Sequence, residues 1–254
     1  MHLSKAVVRI PTLNFCDGIT EANLGMPDFE RAMLQHELYC KALEECGLEL
    51  INLPPDADHP DACFVEDAAV VVDDTVVIAR LGHPSRRGEE KSVEAALQVF
   101  KQLRHIEPPG TMDGGDIMRV GDHYFIGISQ RTNKEGATQL ATILKSLGKA
   151  VTTISVEKFI HLKTYVSSID DHTVLCLDGC ISNEELQPAT RIIMVPAEEH
   201  WAANCAGVNG FVLIPANCPR TAAALQEAGK KILPLEMSEF QKMDGRLTCL
   251  SILF

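Results

Sequence analysis

The sequence has no run of basic residues, no C-x-x-C pair and no apolar stretch of membrane-spanning length. Each absence removes a class of function. With 23 Lys and Arg against 35 Asp and Glu the formal net charge is −12, and nonspecific attraction to nucleic acid or an anionic membrane needs clustered cations. Neither partner is expected. The nine cysteines form no C-x-x-C pair and keep no histidine spacing typical of structural zinc, so a zinc site is not expected, and nothing else in the sequence indicates a required metal or organic cofactor. The N-terminal residues Met-His-Leu-Ser-Lys-Ala-Val lack the charged-then-apolar order of a secretory signal. An odd number of cysteines in such a chain points to a reducing, cytoplasmic location, where most thiols serve as small buried hydrophobes. Linkers and low-complexity tracts are also absent. At 46% hydrophobic residues there is enough apolar surface for a core, and the 254 residues are expected to form one domain, 1–254.

What the chain does contain is a repeated module. Four segments read as β-hairpins: 67–79 around Asp73-Asp74, 116–128 around Gly121-Asp122, 161–177 around Asp170-Asp171, and 204–214 around Asn209-Gly210. Two residues of Asp, Asn or Gly between apolar runs favour the left-handed conformations such turns need. A fifth segment, 242–254, turns at Asp244-Gly245 and runs into a final strand with Cys249 at its mouth. Helical spacing of apolar residues predicts helices over 28–46, 89–103, 133–147 and 221–228, with a shorter one behind the capping box Ser182-Asn-Glu-Glu185. Strands follow at 48–53, 151–156, 191–195 and 231–235. The unit is therefore strand, strand, helix, strand. The final strand has no following partner, so it is expected to pair with the N-terminal run 5–10 and close a ring: an α/β fold, a five-bladed ββαβ propeller.

The residues that open these segments are polar and chemically capable: Glu66 and Asp67, Asp113 and Asp116, His161, Asn204 and Cys249. Positions 67, 113, 161, 204 and 249 are separated by 46, 48, 43 and 45 residues, a period that marks a radial or solenoidal repeat. Equivalent places in five modules around one axis converge on a central pocket. A thiol beside a histidine is the basis of nucleophilic catalysis, and a carboxylate such as Asp113 behind the imidazole would orient it and keep it protonated. Glu66 and Asp67 suit a planar cation such as guanidinium. Arg86, in Pro84-Ser-Arg-Arg87, and Arg131, in Ser129-Gln-Arg131, occupy equivalent connections of neighbouring modules, where their planar forks could share one carboxylate. The glycine-flanked stretch 11–27 has no sustained period and reads as a lid.

The motifs Phe64-Val-Glu-Asp67, Pro84-Ser-Arg-Arg87, Thr111-Met-Asp-Gly-Gly-Asp116, Arg131-Thr-Asn133, His161-Leu-Lys163, Ala202-Ala-Asn-Cys205, Asp244-Gly245 and Thr248-Cys249 resemble, in order and spacing, those of the dimethylargininases, or dimethylarginine dimethylaminohydrolases. The resemblance implies the pentein fold. It also implies a small-molecule substrate, an Nω-methylated arginine, converted to citrulline and a methylamine without any cofactor. Cys249 would be the nucleophile, His161 the acid and base, and Asp113 its orienting carboxylate. Glu66 and Asp67 would lie near the guanidinium, Asp61 on the α-amine, Arg86 and Arg131 on the α-carboxylate, with main chain at Ile19 and Met243 completing the site. Asp113 stands where some bacterial members carry Glu, which calls for a closer backbone or a shifted histidine. Leu250 stands where some vertebrate relatives have a second cysteine, so a metal-binding thiol pair is not supported. Arginine deiminases and amidinotransferases share the chemistry but are usually longer. A noncatalytic pentein of the ribosome anti-association type would not need Cys249 and His161 together. The sequence leaves oligomeric state open, a homodimer included.

Overall fold

In the computed structural model, which describes residues 2–156 and 159–254, the strands form five sheets of three. One sheet is assembled from both ends of the chain. Its centre is β1 (Lys5–Arg9); α1 (Phe29–Glu45) crosses over to β2 (Glu49–Leu53), which pairs parallel with β1. The next three sheets follow in chain order. They are β3 (Ala69–Val72), β4 (Thr75–Ile78) and β5 (Gln102–His105), with α2 (Glu90–Leu97) between the last two; β6 (Ile117–Val120), β7 (His123–Ile128) and β8 (Ala150–Ser155), with α3 (Lys134–Ser146); and β9 (Val166–Ser168), β10 (Thr173–Leu177) and β11 (Arg191–Val195). The fifth holds β12 (Ala206–Val208), β13 (Phe211–Pro215) and β14 (Lys231–Leu235), with α4 (Pro219–Glu227). A short α5 (Ser238–Gln241) leads to β15 (Ile252–Leu253). As expected, β15 returns to β1, antiparallel, with Ala6 opposite Leu253 and Val7 opposite Ile252.

The turn chemistry explains the tight hairpins. Asp73 (φ 50°), Gly121 (φ 59°) and Asn209 (φ 48°) take the left-handed conformation that a two-residue hairpin turn requires. The third hairpin departs from this. Ile169 pairs with Thr173 through its N–H, so three residues turn the chain, because the Asp170 carboxylate accepts the N–H groups of His172 at 2.8 Å and Thr173 at 2.7 Å. Apolar side chains fill the spaces between neighbouring sheets. The cluster around Leu140 and Leu144 draws Val70 and Val77 from one sheet and Ile117 and Ile126 from the next, each buried side chain contributing about 1.5–3 kcal/mol.

Two expected helices are shorter or missing. The third module has turns over 183–188 in place of a helix. Its capping box forms, with Glu185 N–H donating to Ser182 Oγ at 3.3 Å and Ser182 N–H to Glu185 Oε2 at 3.2 Å. Pro188 then disfavours helical backbone at Gln187, leaving too few residues to propagate a helix. Likewise α2 ends at Leu97 and not at 103. Lys101 reaches the neighbouring hairpin turn, donating to the Asp73 carbonyl at 2.7 Å, and Leu103 joins β5. All nine cysteines are free, and among the described residues no helix is long and apolar enough to cross a membrane.

Candidate active site

The polar residues that the sequence places at strand openings sit one step earlier, on or beside short 3₁₀ segments that lead into the strands. Glu66 and Asp67 lie in Val65–Ala68, Asp113 precedes Gly114–Asp116, and His161 precedes Leu162–Thr164. Asn204 closes Ala197–Ala203, and Cys249 lies in Thr248–Leu250. Side chains staple one turn to another at nearly the sequence period. Asp67 Oδ1 accepts the N–H of Gly115 at 2.9 Å, 48 residues on. Asp116 Oδ1 accepts that of Leu162 at 2.9 Å, 46 residues on. Asn204 Oδ1 accepts that of Thr248 at 3.0 Å, 44 residues on. Short turns leave backbone donors unpaired, and these side chains satisfy them where water is excluded.

The turns surround a cavity of about 430 Å³. Ile19, Asp61, Glu66, Asp67, Arg86, Arg131, His161, Met243 and Cys249 all line it. Asp113 does not: it is fully buried behind His161, accepting from Gly82 N–H at 2.8 Å through Oδ1 and meeting His161 Nε2 at 3.0 Å through Oδ2. Asp67 Oδ1 lies 3.8 Å from the same ring nitrogen. Burial alone would depress the imidazole, but Asp67 and the Asp113 hydrogen bond outweigh it and hold His161 up at about 9. The ring is an imidazolium at neutral pH. It packs so closely on the preceding turn that a Cβ at Gly115 would stand 2.7 Å from its Nδ1.

Cys249 is in the opposite electrostatic condition. Enclosure, and then the charges of Glu66 and Asp67, push its thiol up to about 12, so the resting sulfur is protonated and a cation is needed to make it a thiolate. Glu66 is held by Lys163 Nζ at 2.5 Å and Thr248 Oγ1 at 2.7 Å. Burial raises Glu66 while Lys163 opposes that shift. Glu66 and Lys163 also line a second cavity of about 600 Å³, reached from the hairpin-turn end of the fold, and so form the partition between the two.

The two arginines differ. Arg86 is 5% exposed and mostly engaged: Nε and Nη2 grip the Glu89 carboxylate at 3.0 and 2.9 Å, Nη1 meets Asp67 at 2.6 Å, and Nη2 donates to the Phe64 carbonyl at 3.2 Å. Arg131 has a buried Nη1 with no hydrogen-bond partner among the described residues. Between them, Asp61 accepts from Ile19 N–H at 3.1 and 3.2 Å, and burial pushes its carboxyl up. The 11–27 stretch is fastened at the cavity rim by Glu21 N–H donating to Asp244 Oδ2 at 2.6 Å and Thr20 Oγ1 to the Lys242 carbonyl at 2.8 Å.

Ligand atoms of Asp67, Asp113 and His161 lie within 4.8 Å of one another, close enough to share a metal ion. Each already has a protein partner, and the Arg86 guanidinium on Asp67 opposes a second cation there. Sequence reasoning assigned no site role to Lys163 or Thr248, although both fall inside the motifs His161-Leu-Lys163 and Thr248-Cys249. It also left out Trp201 and Arg246, which stack at 4.4 Å on the cavity wall. No periodic signal marks that last pair.

The arginine deiminase family model matches residues 57–206. The chain is 40% identical to N(G),N(G)-dimethylarginine dimethylaminohydrolase of Pseudomonas aeruginosa, over 98% of both chains. It is 34% identical to the enzyme of that name from Streptomyces coelicolor, over 99% of this chain and 97% of the other. The solved structure of the Pseudomonas protein, a C249S mutant complexed with citrulline, superposes with a TM-score of 0.97 at 38% identity and covers all of both chains. With five three-stranded units around a thiol, an imidazolium and a carboxylate cradle, the chain belongs to the dimethylarginine dimethylaminohydrolase family of penteins.

Proposed function

We propose that this chain hydrolyses Nω-methylated arginines to citrulline and methylamine or dimethylamine through a covalent adduct on Cys249. The observation that carries the reading is the polarity of the cavity that Cys249 lines. The protonated thiol feels the charges of Glu66 and Asp67, and the same cavity is lined by Asp61 and by Arg131, whose charges act on one another. An amino acid with a cationic side chain has that distribution of charge.

The guanidinium settles against Glu66 and Asp67. Its charge offsets the carboxylates that keep the thiol protonated, so binding and thiolate formation are coupled, the proton passing to solvent. The α-amine takes Asp61 and the Ile19 and Met243 main chain; the α-carboxylate takes Arg131 and the Arg86 Nη1 N–H left over from the ion pair with Asp67 among the described residues. The Cys249 sulfur bonds to the guanidinium carbon. The bond from that carbon to the methylated nitrogen breaks as His161 gives that nitrogen its proton. Water then attacks the S-linked thiouronium while neutral His161 takes its proton. The carbon–sulfur bond breaks, citrulline leaves and the thiol is restored. Asp113 keeps the imidazole oriented through both steps. Nine free thiols suit a reducing compartment such as the cytoplasm.

Arginine is the competing substrate, favoured by the family model that bears the deiminase name. Purified protein incubated separately with asymmetric dimethylarginine, monomethylarginine and arginine decides between them. Citrulline with dimethylamine or methylamine, and little from arginine, is the expected result. Ammonia and citrulline from arginine alone would transfer the chain to the deiminase reaction.

A further inference from the structure

Resting on that reading, we propose that Asn204 and Thr248 are positioning residues that hold the Cys249 sulfur in line with the guanidinium cradle. Four residues from four modules close a ring beneath the cavity. Asn204 Nδ2 donates to the Lys163 carbonyl at 2.9 Å and to Thr248 Oγ1 at 2.9 Å, while its Oδ1 accepts Thr248 N–H at 3.0 Å. The Thr248 hydroxyl, its lone pair occupied by Asn204, directs its proton to Glu66 Oε2 at 2.7 Å, and Lys163 Nζ returns to Glu66 Oε1 at 2.5 Å.

This arrangement does more than satisfy buried groups. Cys249 follows Thr248 in a turn of three residues, so its Sγ has the freedom of that turn and of one χ angle. Asn204, 1% exposed, binds both the backbone and the side chain of Thr248 and thereby fixes the turn in two directions. The same hydroxyl fixes Glu66, one wall of the cradle. The nucleophile and the charge that receives the substrate are thus referenced to one atom, Thr248 Oγ1. Attack on a planar carbon tolerates little misplacement, and an error of about 1 Å costs on the order of 100-fold.

The test compares Thr248→Val, Thr248→Ser and Asn204→Ala with the unaltered chain. The readouts are melting temperature, kcat and KM for asymmetric dimethylarginine, and the rate of Cys249 alkylation by iodoacetamide. Thr248→Val and Asn204→Ala are expected to lose roughly 10- to 100-fold in kcat with KM changed less than about threefold, and Thr248→Ser is expected to restore kcat. A folded Thr248→Val with kcat within about threefold of the unaltered chain overturns the proposal, as does a Thr248→Ser equally impaired. A loss confined to melting temperature also overturns it, since the ring then serves stability alone. If Asn204→Ala fails to fold, the two Thr248 variants decide. If the unaltered chain turns over no methylarginine, the proposed function fails separately, and the alkylation rates still report whether the clamp sets the sulfur.

Discussion

Arg86→Ala and Arg131→Ala are expected to fail in different ways, although both residues line the substrate cavity. Removing the Arg86 guanidinium leaves two buried carboxylates, Asp67 and Glu89, without the cation that each touches within 3.0 Å. Breaking a buried pair costs about 3–5 kcal/mol, because the remaining charge is uncompensated. Glu89 limits the loss: burial already pushes it up to about 7, so it can take a proton. Against a total stability of about 5–15 kcal/mol, and at about 2–4 °C per kcal/mol for a chain of this size, the melting temperature should fall by roughly 6–20 °C. Arg131 is half-buried, and its Nη1 has no hydrogen-bond partner among the described residues. Its removal should move the melting temperature by less than about 4 °C. The loss appears in binding instead, where hydrogen bonds to a charged group are worth about 1.5–3 kcal/mol, or roughly 10- to 150-fold in KM. Thermal unfolding followed by circular dichroism, paired with steady-state kinetics at pH 7, separates the two. An Arg86→Ala protein that melts within about 2 °C of the unaltered chain would refute the reasoning about its ion pairs. An unchanged KM in Arg131→Ala would remove that residue from the carboxylate subsite.

Cys249→Ser should retain the melting temperature and lose citrulline production by a factor on the order of 10⁴ or more, because serine keeps the shape but is far harder to ionise; measurable turnover would eliminate the covalent route. His161 has a folded pKa raised to about 9 from an unfolded value near 6.5. Its contribution to stability is therefore complete below about 6.5 and disappears as pH rises through about 9, whereas kcat follows the folded-state proton and should hold to about pH 8 and fall through about 9. A kcat that stays flat to pH 10 would show that the departing amine takes its proton elsewhere. Gly115→Ala places a methyl 2.7 Å from His161 Nδ1 and 2.9 Å from Asp67 Oδ1. It should lower kcat on the order of 100-fold while destabilising the fold by only about 1–3 kcal/mol; an unaltered kcat would mean that the ring can shift without consequence.

Much of the fold was legible in the sequence, because the module repeats and its turns have distinctive chemistry. Asp73-Asp74, Gly121-Asp122 and Asn209-Gly210 each specify a hairpin locally, and β15 is left with no partner other than β1. The period of 43 to 48 residues at positions 67, 113, 161, 204 and 249 did mark the axis. Its meaning was mixed, however. Asn204, which is in the period, and Asp116, three residues after a member of it, accept backbone N–H groups of another turn 44 and 46 residues on, and neither appears among the assigned site residues. Asp67 does both, stapling Gly115 while bonding Arg86. A repeated polar residue cannot declare from sequence which of these it does, since both uses need the same side chain at the same turn. The missing third helix was illegible for another reason. Its capping box is present and formed, and only the short distance from Ser182 to Pro188 keeps a helix from growing behind it.

The charges around the cavity account for the order of events in the proposed reaction. A carboxylate about 4 Å from a unit charge is worth about 4 kcal/mol at protein-like screening. That interaction has three successive values at this site. Before substrate binds, burial, reinforced by Glu66 and Asp67, keeps the thiol protonated, which protects the sulfur from other electrophiles. When a guanidinium arrives, its charge offsets theirs and the thiolate becomes accessible only where its target already lies. Once the carbon–nitrogen bond has been cut and water added, the side chain is a neutral urea, and the attraction that held the substrate is gone. In the proposed reaction citrulline is then retained only through its amino group, at Asp61 and the Ile19 and Met243 main chain, and its carboxylate, at Arg131 and Arg86. A cradle that grips the substrate more tightly than the product favours release after each cycle. Neutralising Glu66 should therefore do two opposite things at once, easing ionisation of Cys249 and weakening hold on the substrate, so that kcat and KM rise together where a purely structural carboxylate would change neither.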